Sequence, residues 1–114
     1  MTRKAFRIAR KTAATSTCPT AQMAAIVTRG GKVLAAACNG GPGGVGRGRG
    51  KDHCERRALR PHQDYRGASM LVVRLNGCGS SRPCPACWAA LQVAGIARVT
   101  YTDLNGVLKK ERVS

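Results

Sequence analysis

Acidic residues are scarce: five Asp and Glu stand against twenty Lys and Arg, a formal charge of +15 over 114 residues. So lopsided a balance leaves two readings, attraction to a polyanion, nucleic acid first, or a merely solvated basic surface. Aromatic residues make up 4% of the chain, so Ala, Val, Leu and Ile must fill the core. No apolar run approaches the ~20 residues of a membrane-spanning helix, and no membrane partner is expected. Met1 to Lys11 is basic without a long apolar centre, which argues against a secretory signal. That absence bears on the six cysteines. Without a signal, and with two of them in a Cys-x-x-Cys pair, free thiols in a reducing cytoplasm fit better than a disulfide framework. The length allows one domain, residues 1–114, with one sheet and a few helices.

What is present is concentrated between His53 and Cys87. His53-Cys54-Glu55 opens this stretch and Pro83-Cys84-Pro85-Ala86-Cys87 closes it, with the apolar run Ser69 to Leu75 between. One imidazole and two thiolates, His53, Cys84 and Cys87, make a donor set suited to one tetrahedral zinc ion per chain. Two thiolates at a helix N-terminus are favoured as anions by the helix dipole. Three protein ligands leave the fourth position open, the arrangement of a catalytic rather than a structural site. Glu55 stands where a general acid/base would be needed.

The composite H-x-E … P-C-x-x-C is similar to the signature of the zinc-dependent deaminases, and the chain resembles the cytidine deaminase superfamily from about Gln22 to Val113. The resemblance implies a three-layer α/β/α fold: one mixed sheet of about five strands with helices on both faces. It also implies hydrolytic deamination, with zinc on His53, Cys84 and Cys87 and Glu55 shuttling protons between water, the ring nitrogen and the leaving ammonia.

The remaining segments fit that frame. Residues Thr2 to Ala14 read as a basic helix with a narrow apolar stripe, or as an arm that orders on a partner. Gln22–Val27 and Lys32–Ala37 read as two strands joined by Gly30-Gly31. Asp52 can cap a helix starting at His53, which Pro61 ends or kinks. Cys54 reads as a small buried hydrophobe. Ser69–Leu75 is a third strand, Cys84–Ala94 a third helix, and Ala97–Thr102 a fourth strand. Asp103-Leu104-Asn105-Gly106 then turns the chain back into Val107–Val113. A strand returning at once must run antiparallel to its predecessor. Among relatives that arrangement resembles the cytidine deaminase branch, whereas the tRNA adenosine, deoxycytidylate and vertebrate editing enzymes return parallel.

Candidate substrate contacts are of two kinds. Asn39 falls where relatives place a sugar-binding Asn at the end of the second strand. The free-nucleoside pattern Asn-x-Glu is broken here by Gly41. Arg82, just before Pro83, and Trp88, just after Cys87, are candidates for phosphate and base contacts. For a polynucleotide the candidates are Arg47, Arg49 and Lys51, in the Gly-rich loop of residues 40–51, with His62 and Tyr65 in the loop after the second helix. The first reading is therefore a cytosine-to-uracil deaminase acting on single-stranded DNA or RNA. The alternative is a deaminase of free cytidine or deoxycytidine nucleosides or nucleotides. A third is a basic, non-catalytic zinc-binding module. An adenine or guanine target, and the oligomeric state, stay open.

Overall fold

The structure, a computed structural model, describes residues 3–16, 22–39, 53–59, 63–75, 81–103 and 107–113. The elements follow in the order α1 (Arg3–Ala13), β1 (Met23–Arg29), β2 (Lys32–Cys38), α2 (Cys54–Ala58), β3 (Ser69–Arg74), α3 (Pro85–Ala94), β4 (Arg98–Thr102) and β5 (Leu108–Arg112). The strands form one mixed sheet in the order β2-β1-β3-β4-β5. Among the described strands only β3 and β4 run parallel, as the α3 crossover between them requires. β4 and β5 are antiparallel.

Local chemistry accounts for each connection. Gly30 and Gly31 both have positive φ, 59° and 81°. Two consecutive positive values make the tight hairpin turn whose twist matches paired strands, and glycine adopts them without a Cβ clash. Arg29 pairs with Lys32 across it. At the other end of the sheet Asp103 closes the return into β5. Its N–H donates to the Val107 carbonyl, and its carboxylate accepts from the Val107 N–H, both at 2.9 Å.

Alternation along β1 and β3 divides the core into two layers. Ala24, Ile26, Leu71 and Val73 face one side, where they meet Ala5, Ala9 and Ala13 of α1. Those alanines recur every fourth residue, so α1 seats a smooth, small-residue stripe directly on the sheet. Ala25, Val27, Met70 and Val72 face the other side, against Cys54 and Ala58 of α2 and Leu91 of α3. Ile96 and Val99 complete that layer, fully buried. Each such aliphatic side chain contributes roughly 1.5–3 kcal/mol through burial.

α3 ends at Gly95 in the left-handed conformation (φ 82°), its N–H bonded back to Gln92 and Leu91. A Cβ there would lie 2.8 Å from Arg66 Cγ and 3.1 Å from Arg66 Cα. The close approach lets Gly67 N–H donate to the Gly95 carbonyl at 2.9 Å. This joins the end of α3 to the loop that leads into β3. Tyr65 in that loop was expected at the surface as a nucleic-acid contact. It is instead 3% exposed, with its hydroxyl donating to the Ala58 carbonyl at 3.0 Å. The ring fills the space beneath the short α2 and satisfies that helix's last turn, so it offers no face to a base. Among the described residues no helix is long and apolar enough to cross a membrane.

Candidate metal centre and active site

The two helices over the second core layer begin with residues that are free to point at something else. His53 is the N-cap of α2, with extended backbone (φ −63°, ψ 135°) and no side-chain capping bond. The expected helix start at His53 therefore moves on by one residue, to Cys54. The proposed cap, Asp52, lies outside the described residues. Cys84 plays the same part for α3 (φ −70°, ψ 166°), with Pro85 opening the helix. The backbone carbonyl of each cap accepts the first helical bond, from Arg57 N–H at 3.1 Å and Trp88 N–H at 2.8 Å. Each cap thus serves the helix through its backbone and leaves its side chain for other work.

Those side chains converge. His53 Nδ1 lies 3.1 Å from Cys87 Sγ and 3.6 Å from Cys84 Sγ. All three donor atoms fall within 4.8 Å of one another. A tetrahedral zinc bound to one imidazole nitrogen and two thiolates separates N from S by roughly 3.5 Å, given the usual bond lengths. The donor set therefore fits zinc in type and in spacing. Electrostatics agree. Burial, then the charge of Glu55, then a hydrogen bond with Cys84, push the Cys87 thiol up to about 12. A thiolate so penalised needs a cation beside it, which zinc held by His53, Cys84 and Cys87 would supply.

Glu55 is 4% exposed, inside the first turn of α2. Cys54 Sγ donates to its Oε1 at 3.4 Å. The Cys54 thiol is held well above its ordinary range, by burial first and by the Glu55 charge second. It stays neutral, a buried donor and not a ligand.

The approach to Cys84 is fixed by Ser81, fully buried. Its hydroxyl donates to the Val72 carbonyl at 3.0 Å and accepts the Thr102 N–H at 2.8 Å. Its own N–H donates to the Thr102 carbonyl at 2.8 Å. The segment carrying the zinc ligand is thereby stitched to the ends of β3 and β4. Ser81 was not among the residues singled out from the sequence. A small hydroxyl shortly before Pro-Cys was the available signal.

The other described candidates have these partners. Asn39 Oδ1 accepts from the Ser16 hydroxyl at 2.6 Å and from Met23 N–H at 3.0 Å, tying the end of α1 to the end of β2. Arg82 lies over the Trp88 ring, 4.4 Å from its centroid, and forms a two-pronged pair with Glu111 on β5 at 2.7 and 3.2 Å. Tyr101 also donates to Glu111. Arg82 and Trp88 are thus brought to each other and to β5. Glu111 and Tyr101 were not foreseen. Arg47, Arg49, Lys51 and His62 lie outside the described residues.

Comparison with known proteins agrees with this geometry. The family described as the cytidine and deoxycytidylate deaminase zinc-binding region matches residues 1–103. No curated protein matches the chain. Among solved structures, the dCMP deaminase of cyanophage S-TIM5 in its apo form is similar at 23% identity and a TM-score of 0.67, over 87% of this chain and 82% of that one. The same enzyme in complex with dCMP and dUMP is similar at 23% identity and a TM-score of 0.64, over 87% and 81%. With His53, Cys84 and Cys87 converging beside Glu55, and the family matched across nearly the whole chain, this protein belongs to the zinc-dependent cytidine and deoxycytidylate deaminases.

Proposed function

We propose that the chain deaminates cytosine in a free nucleotide, with a deoxycytidine or cytidine monophosphate as substrate class. The observation that carries the chemistry is the buried Glu55 beside the His53, Cys84 and Cys87 donor set. Zinc, when held there, supplies Lewis acidity and an activated water at neutral pH. Glu55 takes a proton from the attacking water and returns it to the ring nitrogen, and it carries the second proton to the departing amine. Cytosine and water become uracil and ammonia. Cys54 Sγ donates to Glu55 Oε1 at 3.4 Å, and the carboxylate's other oxygen is assigned here to substrate.

The free-nucleotide choice is supported by the likeness to the cyanophage dCMP deaminase, which extends over most of both chains. A second reading, deamination within single-stranded DNA or RNA, is favoured by the charge of +15. On that reading Arg47, Arg49 and Lys51 would hold the backbone.

The test is uracil formation from dCMP, CMP, deoxycytidine and single-stranded DNA and RNA, with wild type and Glu55→Gln side by side. Wild type is expected to convert a monophosphate. Glu55→Gln should be slower by roughly 10²–10⁴-fold, the scale of lost general acid–base catalysis, with zinc content unchanged. Conversion confined to the polymers, and weakening steeply with salt, would replace the nucleotide reading with the second one.

A further inference from the structure

The charge of this chain has a location. Every acidic residue, Asp52, Glu55, Asp64, Asp103 and Glu111, follows Lys51, so α1, β1 and β2 carry none. In α1, Arg3, Lys4, Arg7, Arg10 and Lys11 are all exposed. The ion pairs among the described residues, Arg66–Asp64, Arg82–Glu111 and Lys109–Asp103, all lie elsewhere. At about 100° per residue the five cations fall within an arc of about 120°, opposite the stripe of Ala5, Ala9 and Ala13. That stripe is seated on the sheet face turned away from α2 and α3. A layer of sheet therefore separates the cationic face from the zinc ligands.

We propose that the outer face of α1 is a docking surface for the phosphate backbone of a nucleic acid, separate from the catalytic site and not used to present the target base. From Arg3 to Lys11 the helix advances about 12 Å. A duplex presents roughly seven phosphate charges over that length. A membrane surface is the other polyanion a basic helix can meet, but such a helix must bury its apolar side in the lipid boundary. Here that side is already spent: Ala5, Ala9 and Ala13 are 3%, 0% and 0% exposed against the sheet. Phe6 and Ile8, on its flanks, are partly buried against the same layer, so the outward arc presents Arg3, Lys4, Arg7, Arg10 and Lys11, and charge of that kind recognises backbone without sequence. Separation from the zinc centre also lets a free-nucleotide enzyme carry this charge without using it on substrate.

The test compares the zinc-loaded wild type with the variant Arg3→Gln, Lys4→Gln, Arg7→Gln, Arg10→Gln, Lys11→Gln. Gln keeps helix propensity close to that of Lys and Arg. Binding to a labelled B-form DNA duplex is followed by fluorescence anisotropy across a salt series. The slope of log K against log salt should fall in magnitude by about 4.5, at about 0.9 for each phosphate that is no longer neutralised. Zinc content and deamination of the cytosine substrate should stay within twofold of wild type. A slope changed by less than about 1 overturns the proposal. So does a parallel loss of deamination, which would place the face inside the catalytic site. Retained DNA affinity with lost binding to anionic phospholipid vesicles overturns it in favour of a membrane. Should the fivefold variant fail to fold, Arg3→Gln/Arg7→Gln alone should lower the slope by about 1.8. Because the duplex measurement needs no turnover, it stands or falls independently of the proposed substrate.

Discussion

The zinc ligands, Glu55 and Ser81 show how single residues divide their labour between backbone and side chain. His53 and Cys84 each begin a helix with the carbonyl and aim the side chain at the metal position. Such spacing is readable in a sequence, because caps and first turns are short-range objects. Ser81 is not readable in the same way. Its value comes from Val72 and Thr102, remote in sequence, and a serine before a proline reads as a turn. Replacing it with alanine leaves the partly buried Thr102 N–H without the hydroxyl acceptor and the buried Val72 carbonyl without this donor. Ser81→Ala should cost about 1–3 kcal/mol of unfolding free energy, measured by denaturant titration. It should also lower zinc affinity, since Cys84 follows closely on the loosened segment. Unchanged stability would mean that water replaces the hydroxyl. Tyr65 teaches the converse lesson: a tyrosine in a loop reads as exposed, and only the fold shows Ala58 above it.

At the level of elements, apolar runs and glycine turns located all five strands, and a narrow apolar stripe among basic residues pointed to the helix α1, with a partner-ordered arm as the alternative. What the pattern could not supply was the length of α2. It stops at Ala58, before the expected break at Pro61. Nor could it show how β5 is tied to α3. Leu108-Lys109-Lys110-Glu111-Arg112 looks like a charged edge, and an edge strand is ordinarily kept from aggregation by such charges. Glu111 does more, taking Arg82 from the approach to α3 and Tyr101 from β4. Those two bonds, Arg82 first, lower its carboxyl to about 2 from an ordinary 4.5. A carboxylate depressed on folding stabilises the native state above its unfolded value, and that contribution fades as pH falls from about 4.5 through about 2. The pair is partly exposed, so screening keeps its worth near the low end, on the order of 1 kcal/mol. Glu111→Gln should therefore be less stable than wild type by about that amount at neutral pH. The two unfolding curves should converge as the pH is lowered through that window. A difference that persists at pH 2 would show that packing, not charge, is what Glu111 contributes.

Across the whole molecule, α1 lies along one face of the sheet through Ala5, Ala9 and Ala13, while α2 and α3 reach the other face through Cys54, Ala58 and Leu91 and bring His53, Cys84 and Cys87 together. The sequence order of strands, helices and motifs made the layered fold legible, and the match of donor types made the zinc site legible. The side of the sheet that α1 occupies was not, because it depends on Ala5, Ala9 and Ala13 meeting Ala24, Ile26, Leu71 and Val73. The division has a consequence for metal loss. α2 spans Cys54–Ala58, far shorter than a helix that holds itself together in water. It is kept in place by Cys54 and Ala58 in the core, and zinc, when bound, would be held by His53 at its start together with Cys84 and Cys87. Metal binding to structural sites is worth on the order of 10 kcal/mol, and such energy is coupled to the order of the ligand-bearing segments. Chelation should therefore lower the unfolding temperature. In hydrogen exchange, the amides of residues 54–58 and the first turn of α3 should lose protection by at least about tenfold, a local opening. β1 and β3, paired on both sides within the sheet, should keep theirs. Equal loss in β1 and β3 would mean that the metal holds the whole fold. Protection unchanged in α2 would mean that Cys54, Ala58 and the Tyr65 hydroxyl suffice to hold the helix, and that zinc serves chemistry alone.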